Sequence, residues 1–427
     1  MSISLMLIAT FAVTAAAEQQ GWSKDAPRDE MHPKYAERID AQGRLILSLT
    51  AVGRPDIDGA WVKYFPVHAD QHYQFTTQRK TSQVASPRRS AIVKLTWLDA
   101  DGNLLSGPQD LHRPEYPTDG VTNDTGWTSL SDTYLAPPGA SQAKIELRLR
   151  WTSGNAEFRD TQLLPVAAPE PRLVKLATVH FRPAGSSPRS NRESFAPLIA
   201  TASDREADLV CLPESLTYYG TGQPLESCAE PIPGPSTDYL AQLSKVHDLY
   251  IAAGLTERDG STLYNTCVLL GPDGELVGKY RKVCVPREEI EAGITPGTDY
   301  PVFDTRFGKV GLMVCWDVHF PEVARNLSIQ GAEVIAMPIW GGMPTLAAAR
   351  ALENQIYLVT STYSGIERQA MTSAIFTPSG KRLVENGREW GTVFVAEVDL
   401  NKQHHWRGLG NFKSRIPRER PVSGFAD

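Results

Sequence analysis

The chain has 427 residues, a formal net charge of -6 at pH 7 and 41% hydrophobic residues. This length predicts two or three domains, and the composition is that of an ordinary globular protein rather than a fibrous or low-complexity one. A mildly negative chain without a cluster of Lys and Arg argues against nucleic-acid binding.

The first predicted element is an N-terminal targeting segment, residues 1–17. An apolar run that ends at Ala17 is followed by the polar Glu18–Gln20. Ala15 and Ala17 are small residues of the kind that signal peptidase prefers, so we expect a secretory signal peptide and an exported protein, periplasmic or extracellular. The alternative is an N-terminal membrane anchor, for which the apolar run is short.

Residues 18–164 are predicted to fold as an antiparallel β-sandwich. Between about Gln42 and Leu164, apolar and polar residues alternate with a period of two, most clearly from Ala143 to Trp151. This pattern, without a convincing helix, is typical of a two-sheet sandwich. Four segments resemble galactose-binding-type jelly rolls, the fold of many carbohydrate-binding modules: Trp97–Gly102, Gly126–Trp127, Ala136–Ala140 and Ala156–Asp160. That resemblance implies attachment to a glycan or cell wall, and the alternative is an accessory domain that supports packing or a dimer.

The pattern changes after a proline-rich segment. Residues 165–172 are predicted to be an extended linker, residues 173–400 an α/β domain with helices covering a sheet, and residues 401–427 a C-terminal tail. Strands are predicted at Leu173–Val179, Leu209–Leu212, Tyr250–Leu255, Thr266–Leu270, Glu275–Tyr280, Lys309–Val314, Val334–Met337 and Ile356–Thr360. Helices are predicted at Asn191–Glu206, Ser236–Val246, Glu322–Gln330 and Thr345–Glu353.

The five cysteines and nine histidines do not show the spacing of a metal site. Cys211 and Cys267 lie in strand-like apolar runs, where a small core role is expected. An odd number of cysteines in an exported protein indicates at least one free thiol. We expect no metal, no required disulfide and no cofactor.

Cys315 stands where an apolar strand ends. The pattern Val310–Val314 is followed at once by Trp316, Asp317 and the helix-starting Phe320–Glu322. A strand–elbow–helix arrangement presents a thiol beside backbone N–H groups that can stabilise a negative charge, which makes Cys315 a candidate nucleophile. The alternative is a small core residue.

Two upstream residues stand at comparable strand ends. Glu214 follows the apolar run Leu209–Leu212, and Lys282 follows a predicted hairpin strand. Each by itself is typical of a solvated surface charge, but in the order Glu, Lys, Cys they resemble the nitrilase, or carbon–nitrogen hydrolase, superfamily over residues 173–400. The resemblance rests on these runs: Ala207–Ser215, Gly278–Val283, Thr295–Gly297, Val302–Gly308, Gly331–Ile335, Arg350–Asn354 and Ser373–Gly380. It implies an αββα sandwich of two stacked sheets with outer helices, and a homo-oligomer that is commonly a dimer.

We expect each of the three residues to have a role in hydrolysis of a small-molecule amide or carbamoyl compound. Cys315 attacks the carbon atom, and Glu214 accepts its proton, returns it to the departing amine and then activates water against the thioester. Lys282 and the backbone N–H of Trp316 stabilise the oxyanion. Ammonia or an amine is released.

A second acid often assists in this family, between the lysine and the cysteine. Glu288, Glu289 and Glu291 all lie in that stretch. We favour Glu289, and the alternative for this segment is a solvated charge run. Three further positions are expected to support the elbow rather than to react: Asp317, Glu322 and Arg325.

The residues after the nucleophile favour amides over nitriles. True nitrilases usually show Cys-Trp-Glu, whereas this chain has Cys315-Trp316-Asp317, which is closer to the amidase and carbamoyl-hydrolase branches. Nitrile hydrolysis is the first alternative, and a non-catalytic glycan-binding protein on a degenerate hydrolase is the second. Three residues are candidates to line the substrate pocket: Tyr218, His319 and Trp340.

Overall fold

The computed structural model describes residues 21–105, 114–365, 371–386, 389–406 and 409–421. The chain divides into two compact units, which we call unit 1 (residues 1–170 and 403–427) and unit 2 (residues 171–402). The predicted signal peptide, residues 1–17, lies outside the described residues. Within the described part, no helix has both the length and the apolar character needed to cross a membrane.

Unit 1 consists mainly of antiparallel strands. They are β1 (Ser23–Asp25), β2 (Lys34–Ile39), β3 (Leu45–Thr50), β4 (Asp58–Pro66), β5 (His72–Ser82), β6 (Ala91–Leu98), β7 (Thr118–Thr122), β8 (Thr128–Leu135), β9 (Gln142–Arg150) and β10 (Asn155–Val166), with the short helix α1 (Pro87–Ser90) before β6. One sheet has the order β1-β4-β9-β6 and the other β2-β3-β10-β5-β8-β7. In β9, alternate residues such as Ile145 and Leu147 lie in a core that both sheets share, as the period-two pattern predicted. The likeness to galactose-binding jelly rolls stays a prediction.

The sandwich continues two residues past the boundary expected at residue 164. Pro165 and Val166 pair with Tyr73 and His72 of β5. A proline near the end of a strand removes one donor without ending the pairing, so the proline-rich composition alone placed the start of the linker too early.

Unit 2 alternates strands and helices. Its strands are β11 (Leu173–His180), β12 (Leu209–Cys211), β13 (Tyr250–Asp259), β14 (Thr262–Leu270), β15 (Leu276–Arg281), β16 (Val302–Asp304), β17 (Lys309–Leu312), β18 (Val334–Pro338), β19 (Tyr357–Ser361), β20 (Ser373–Phe376), β21 (Arg382–Asn386) and β22 (Thr392–Asp399). Its helices are α2 (Pro188–Glu193), α3 (Ala196–Asp204), α4 (Pro235–His247), α5 (Arg287–Glu291), α6 (Pro321–Ile329) and α7 (Pro344–Asn354). The two six-stranded sheets have the orders β15-β14-β13-β12-β11-β22 and β16-β17-β18-β19-β20-β21.

The two sheets of unit 2 pack face to face between helices. In β12, Leu209 and Cys211 point into the core between the sheets, whereas Val210 points into a second core with Leu240 of α4. Cys267 of β14 also lies between the sheets, which confirms the core role predicted for both cysteines. Helices α6 and α7 contact the second sheet. The layered α/β arrangement implied by the resemblance is therefore observed in unit 2.

One predicted helix is divided in the structure. Residues 191–206 were expected to form a single helix, but α2 ends at Glu193 and α3 begins at Ala196. Pro197 explains the break, because it has no N–H to donate and its ring would clash with the carbonyl four residues earlier.

The C-terminal segment belongs to unit 1, although the sequence indicated only a tail at 401–427. It contains β23 (His405–Trp406), β24 (Gly410–Asn411) and α8 (Phe412–Glu419). Arg418 of α8 is 3% exposed and its Nη2 donates to Asp119 at 2.7 Å. Asp119 also accepts from the buried Arg79 at 2.8 Å. The contact between Arg418 and Asp119 spans 299 positions of sequence, so no local pattern could predict it.

Candidate active site

Glu214 lies in the turn that follows β12 and is 2% exposed. The chain approaches β13 very closely here, because a Cβ atom on Gly254 would lie 2.5 Å from the Cα atom of Glu214. The hydroxyl of Tyr363 donates to the backbone carbonyl of Glu214 at 2.9 Å. The backbone is thus held by two neighbours, which fixes where the carboxylate lies.

Lys282 directly follows β15 and is 1% exposed. Its backbone N–H donates to the carbonyl of Asn265 in β14 at 2.8 Å. Its Nζ donates to Glu214 Oε1 at 3.0 Å and to Glu289 Oε1 at 2.6 Å. Burial by itself lowers the pKa of Lys282, but the negative charges of Glu214 and Glu289 outweigh it, so the net pKa is raised. The ammonium group stays charged.

Glu289 is the acid of α5 that reaches this group. Its second oxygen, Oε2, accepts from Asn265 Nδ2 at 3.2 Å. Burial raises the pKa of Glu289, although the charge of Lys282 opposes the shift. The two other candidates of this segment lie at the surface beside Arg287: Glu288 and Glu291.

Cys315 opens a 3-10 turn after β17, with a φ of 44°. Positive φ is strained for a residue with a Cβ atom and persists where the surrounding structure imposes it. Its Sγ lies 3.7 Å from the carbonyl oxygen of Gly341. Burial raises the pKa of the thiol, the charge of Glu214 acts in the same direction, and Lys282 opposes both. The thiol therefore keeps its proton in the resting site, where the charges of Glu214 and Lys282 both act on it.

Asp317 connects the cysteine turn to the lysine segment. Its carboxylate accepts from the backbone N–H of Val314 at 2.9 Å, from that of Cys284 at 2.9 Å and from the hydroxyl of Tyr280 at 2.8 Å. Tyr280 and Cys284 flank Lys282 in sequence, so one buried carboxylate fixes both sides of the site. Burial raises the pKa of Asp317 to about 6, although the two N–H groups oppose the shift.

The other two expected supports lie in α6, which follows the cysteine turn. Arg325 donates from Nη2 to the backbone carbonyl of Glu353 in α7 at 2.8 Å. Glu322 lies in the first turn of α6, where a negative charge stabilises a helix. Both residues thus stabilise the helices beside the elbow.

An aromatic group lies next to the thiol and to Glu214. The ring centroid of Trp340 is 6.3 Å from that of Tyr218, 4.9 Å from Tyr219 and 5.4 Å from Tyr363. Trp340 is 40% exposed and directly precedes Gly341, whose carbonyl approaches the thiol. Two predicted pocket residues, Tyr218 and Trp340, are therefore brought together at the site.

His319, the third predicted pocket residue, packs its ring on Trp316 with centroids 4.1 Å apart. Two residues of the site were missed. Asn265 could have been found, because it is an amide side chain inside the apolar strand β14. Tyr363 gave no local signal, since its contact with Glu214 spans 149 positions.

The site combines one buried ammonium group, two carboxylates that bond to it, and a neighbouring thiol. Among the described residues, no group of three or more His, Cys, Asp or Glu side chains is placed to hold a metal ion. The arrangement supplies a nucleophile, proton acceptors and a cation within one cluster, which are the parts needed for acyl transfer.

Comparison with known proteins identifies the family of the chain. The carbon–nitrogen hydrolase family model matches residues 175–408, which is more than half of the chain. The chain belongs to the carbon–nitrogen hydrolase family. A nitrilase of Pyrococcus abyssi is 39% identical over 242 residues, covering 53% of this chain and 90% of that protein. An omega-amidase of Xenopus laevis is 35% identical over 244 residues, covering 52% and 86%.

Solved structures of this carbon–nitrogen hydrolase family were also matched. A Saccharomyces cerevisiae member of branch 10 of the nitrilase superfamily is 25% identical with a TM-score of 0.49, covering 55% of this chain and 93% of that chain. An amidase from Nesterenkonia sp. AN1 in complex with acrylamide is 25% identical with a TM-score of 0.47 and the same coverage.

Proposed function

We propose that unit 2 hydrolyses the C–N bond of a small amide or carbamoyl compound through a thioester on Cys315. Family membership supports the general class of reaction. The observation that carries the specific proposal is the buried Lys282, bonded to Glu214 and Glu289 and facing the thiol. A cation held in this way beside a nucleophile is suited to stabilise an oxyanion.

Acylation begins with a protonated thiol. As Cys315 Sγ attacks the carbonyl carbon, its proton passes to Glu214, and the C=O electron pair moves onto the oxygen. Lys282 has three N–H donors, of which two are bonded to carboxylates, so the third is available to the oxyanion together with the backbone N–H of Trp316. Collapse of the tetrahedral intermediate breaks the C–N bond, and Glu214 gives its proton to the leaving nitrogen.

Deacylation repeats these steps with water. Glu214, again ionised, takes a proton from a water molecule that attacks the thioester carbon, and the C–S bond breaks to release the acid. The proton returns to the Cys315 sulfur, which restores the resting thiol. Glu289 keeps Lys282 in place throughout, because its Oε1 lies 2.6 Å from Nζ.

Amides rather than nitriles are the proposed substrates, on the basis of the Cys-Trp-Asp sequence. The names of the relatives divide between the two reactions, since one is a nitrilase and the other an omega-amidase. Matched pairs such as butyramide and butyronitrile, assayed by ammonia release, test the choice. We expect faster turnover of the amide in each pair. A consistent preference for the nitriles would establish the alternative, and inactivity on every pair would favour the non-catalytic glycan-binding protein.

A further inference from the structure

Asn265 is an amide side chain shared by both carboxylates of the site. It lies in β14 and is 5% exposed. Its Nδ2 donates to Glu214 Oε1 at 2.7 Å and to Glu289 Oε2 at 3.2 Å. Its neighbour on the opposite face of the strand, Thr266, donates to a different buried carboxylate, that of Glu257, at 2.8 Å.

These bonds make the two oxygens of Glu214 unequal. Oε1 accepts from both Asn265 and Lys282. Oε2 is buried, and among the described residues no donor meets hydrogen-bond geometry with it. A buried carboxylate oxygen without a partner is costly, unless a reacting group completes it. The nearby thiol of Cys315 is a group of this kind, because the charge of Glu214 and a side-chain hydrogen bond to it both raise the pKa of the thiol.

We propose that Asn265 is a positioning residue: with Lys282 it fixes Oε1 of Glu214, so that Oε2 is the atom that takes the proton of Cys315. The inference rests on the proposed function, in which Glu214 is the base. In the step itself the S–H bond breaks and an O–H bond forms at Oε2. The negative charge moves from the carboxylate to sulfur, and no redox partner is needed.

A neutral donor is needed at position 265 for an electrostatic reason. The ionisable groups that face Glu214 are Lys282, Glu289, Cys315 and Tyr363, and only the lysine carries positive charge. A hydrogen bond to an ionised carboxylate favours the ionised form, so Asn265 assists the single ammonium in keeping the base ready. An acid at this position would place a third carboxylate in the cluster.

The decisive variant is Asn265→Leu in the full-length protein, which keeps the size of the side chain and removes both bonds. We expect kcat for butyramide to fall by about ten- to a hundredfold, as misplacement of a catalytic group does, with KM changed far less. Loss of the donor removes a bond that lowers the pKa of Glu289 and one of the two bonds to Glu214 Oε1, so the acidic limb of the kcat/KM profile should move to higher pH. Asn265→Asp should move that limb further.

Thr266→Val is the matched control, because it removes a buried hydrogen bond to a carboxylate outside the site. It should lower the unfolding temperature and leave the pH profile unchanged. Should Asn265→Leu behave in the same way, with a wild-type pH profile and kcat, the positioning role is overturned. Asn265→Ser, which is too short to reach both acids, replaces Asn265→Leu if the latter does not fold.

Alkylation of Cys315 by iodoacetamide gives a readout that needs no substrate turnover. Peptide mass spectrometry separates this thiol from the other four, and its alkylation rate reports proton transfer to Glu214. We expect slower alkylation in Asn265→Leu than in wild type and in Thr266→Val, and equal rates would overturn the inference. Wild-type protein that turns over no amide would instead refute the proposed function, while the alkylation comparison still decides the role of Asn265.

Discussion

The cluster around Asp119 in unit 1 and the cluster around Lys282 in unit 2 both bury charged side chains, but in opposite ratios. In unit 1, one carboxylate, Asp119, is bonded to two buried guanidinium groups, those of Arg79 and Arg418. Burial alone would raise the pKa of Asp119, but the two cations outweigh it and the pKa is lowered. This acid stays ionised at neutral pH and holds α8 against the sandwich.

In unit 2 the ratio is reversed, because two carboxylates share one ammonium. Burial raises the pKa of Glu289 even though Lys282 opposes the shift. A cluster with surplus anions is closer to exchanging a proton than one with surplus cations. The comparison teaches that burial of charge by itself does not mark a functional site: the balance of charge, and an oxygen such as Glu214 Oε2 without a donor among the described residues, distinguish the cluster that we propose to be reactive from the structural one.

The largest effect is expected at the nucleophile. Cys315→Ala and Cys315→Ser should abolish turnover while both units stay folded, because only the thiolate can carry the acyl group. On wild-type protein, trapped substrate should appear as a thioester mass adduct on the Cys315 peptide. An adduct on Cys211 or Cys284, or full activity in Cys315→Ala, would remove the basis for treating the cluster of unit 2 as reactive.

Changes to the charges of unit 2 come next. Glu214→Gln and Lys282→Ala should each lower kcat by about two to four decades, as losses of acid–base or oxyanion groups do. Lys282→Arg should not restore the rate, because a guanidinium is bulkier and spreads its charge. Near wild-type turnover in Glu214→Gln would make that carboxylate structural, like Asp119, and transfer the base role to Glu289.

A smaller effect is expected from moving Glu214 without altering its charge. In Gly254→Ala the new Cβ would lie 2.5 Å from the Cα atom of Glu214, so the turn must shift. We expect kcat to fall by about tenfold or more, since a displacement near 1 Å is costly in catalysis. Gly278→Ala is the control: Gly278 lies in the same sheet as Gly254, and the added Cβ clashes with the Phe303 ring of the other sheet, so this variant should affect stability more than rate. If the two variants lose rate equally, the position of Glu214 is not what limits catalysis.

How much of the fold and of the site could be predicted from the sequence depends on how far apart in the sequence the contacting residues lie. Glu214 and Cys315 each follow a short apolar strand, and Lys282 follows a hairpin strand. These are local signals, and the order of the three residues gave the family. Asn265 required the register between β14 and β15, which pairs Thr266 with Arg281 and is invisible in either strand alone. Glu288, Glu289 and Glu291 all lie in α5. Which of them reaches Lys282 depends on the direction in which each side chain leaves the helix, and the sequence alone does not show this.

The structural cluster of unit 1 should respond in stability rather than in rate. Arg418→Ala leaves Asp119 with one partner, and breaking a buried ion pair costs about 3–5 kcal/mol, reduced here because Asp119 is 27% exposed. We expect a lower unfolding temperature for unit 1 and unchanged turnover. Arg415→Ala, whose surface pair with Glu419 lies on the same helix, should cost less than about 1 kcal/mol. A loss of kcat in Arg418→Ala at a temperature where the protein is folded would contradict the separation of the two clusters.

The smallest effect on rate is expected from removing unit 1 altogether. The fragment 171–402 contains Glu214, Lys282, Glu289 and Cys315. It also contains two complete hydrophobic cores, and it is large enough to fold alone. We expect it to hydrolyse butyramide at a rate close to that of the full chain. The fragment 171–427, in contrast, keeps α8 without the sandwich that buries Arg418, so it should aggregate more readily.

A pull-down on insoluble glycans with the full chain and with 171–402 then tests the other proposed role of unit 1. Retention of the full chain alone would establish glycan attachment, whereas equal binding by the two proteins would favour an accessory domain that supports packing or a dimer, which is the outcome we favour.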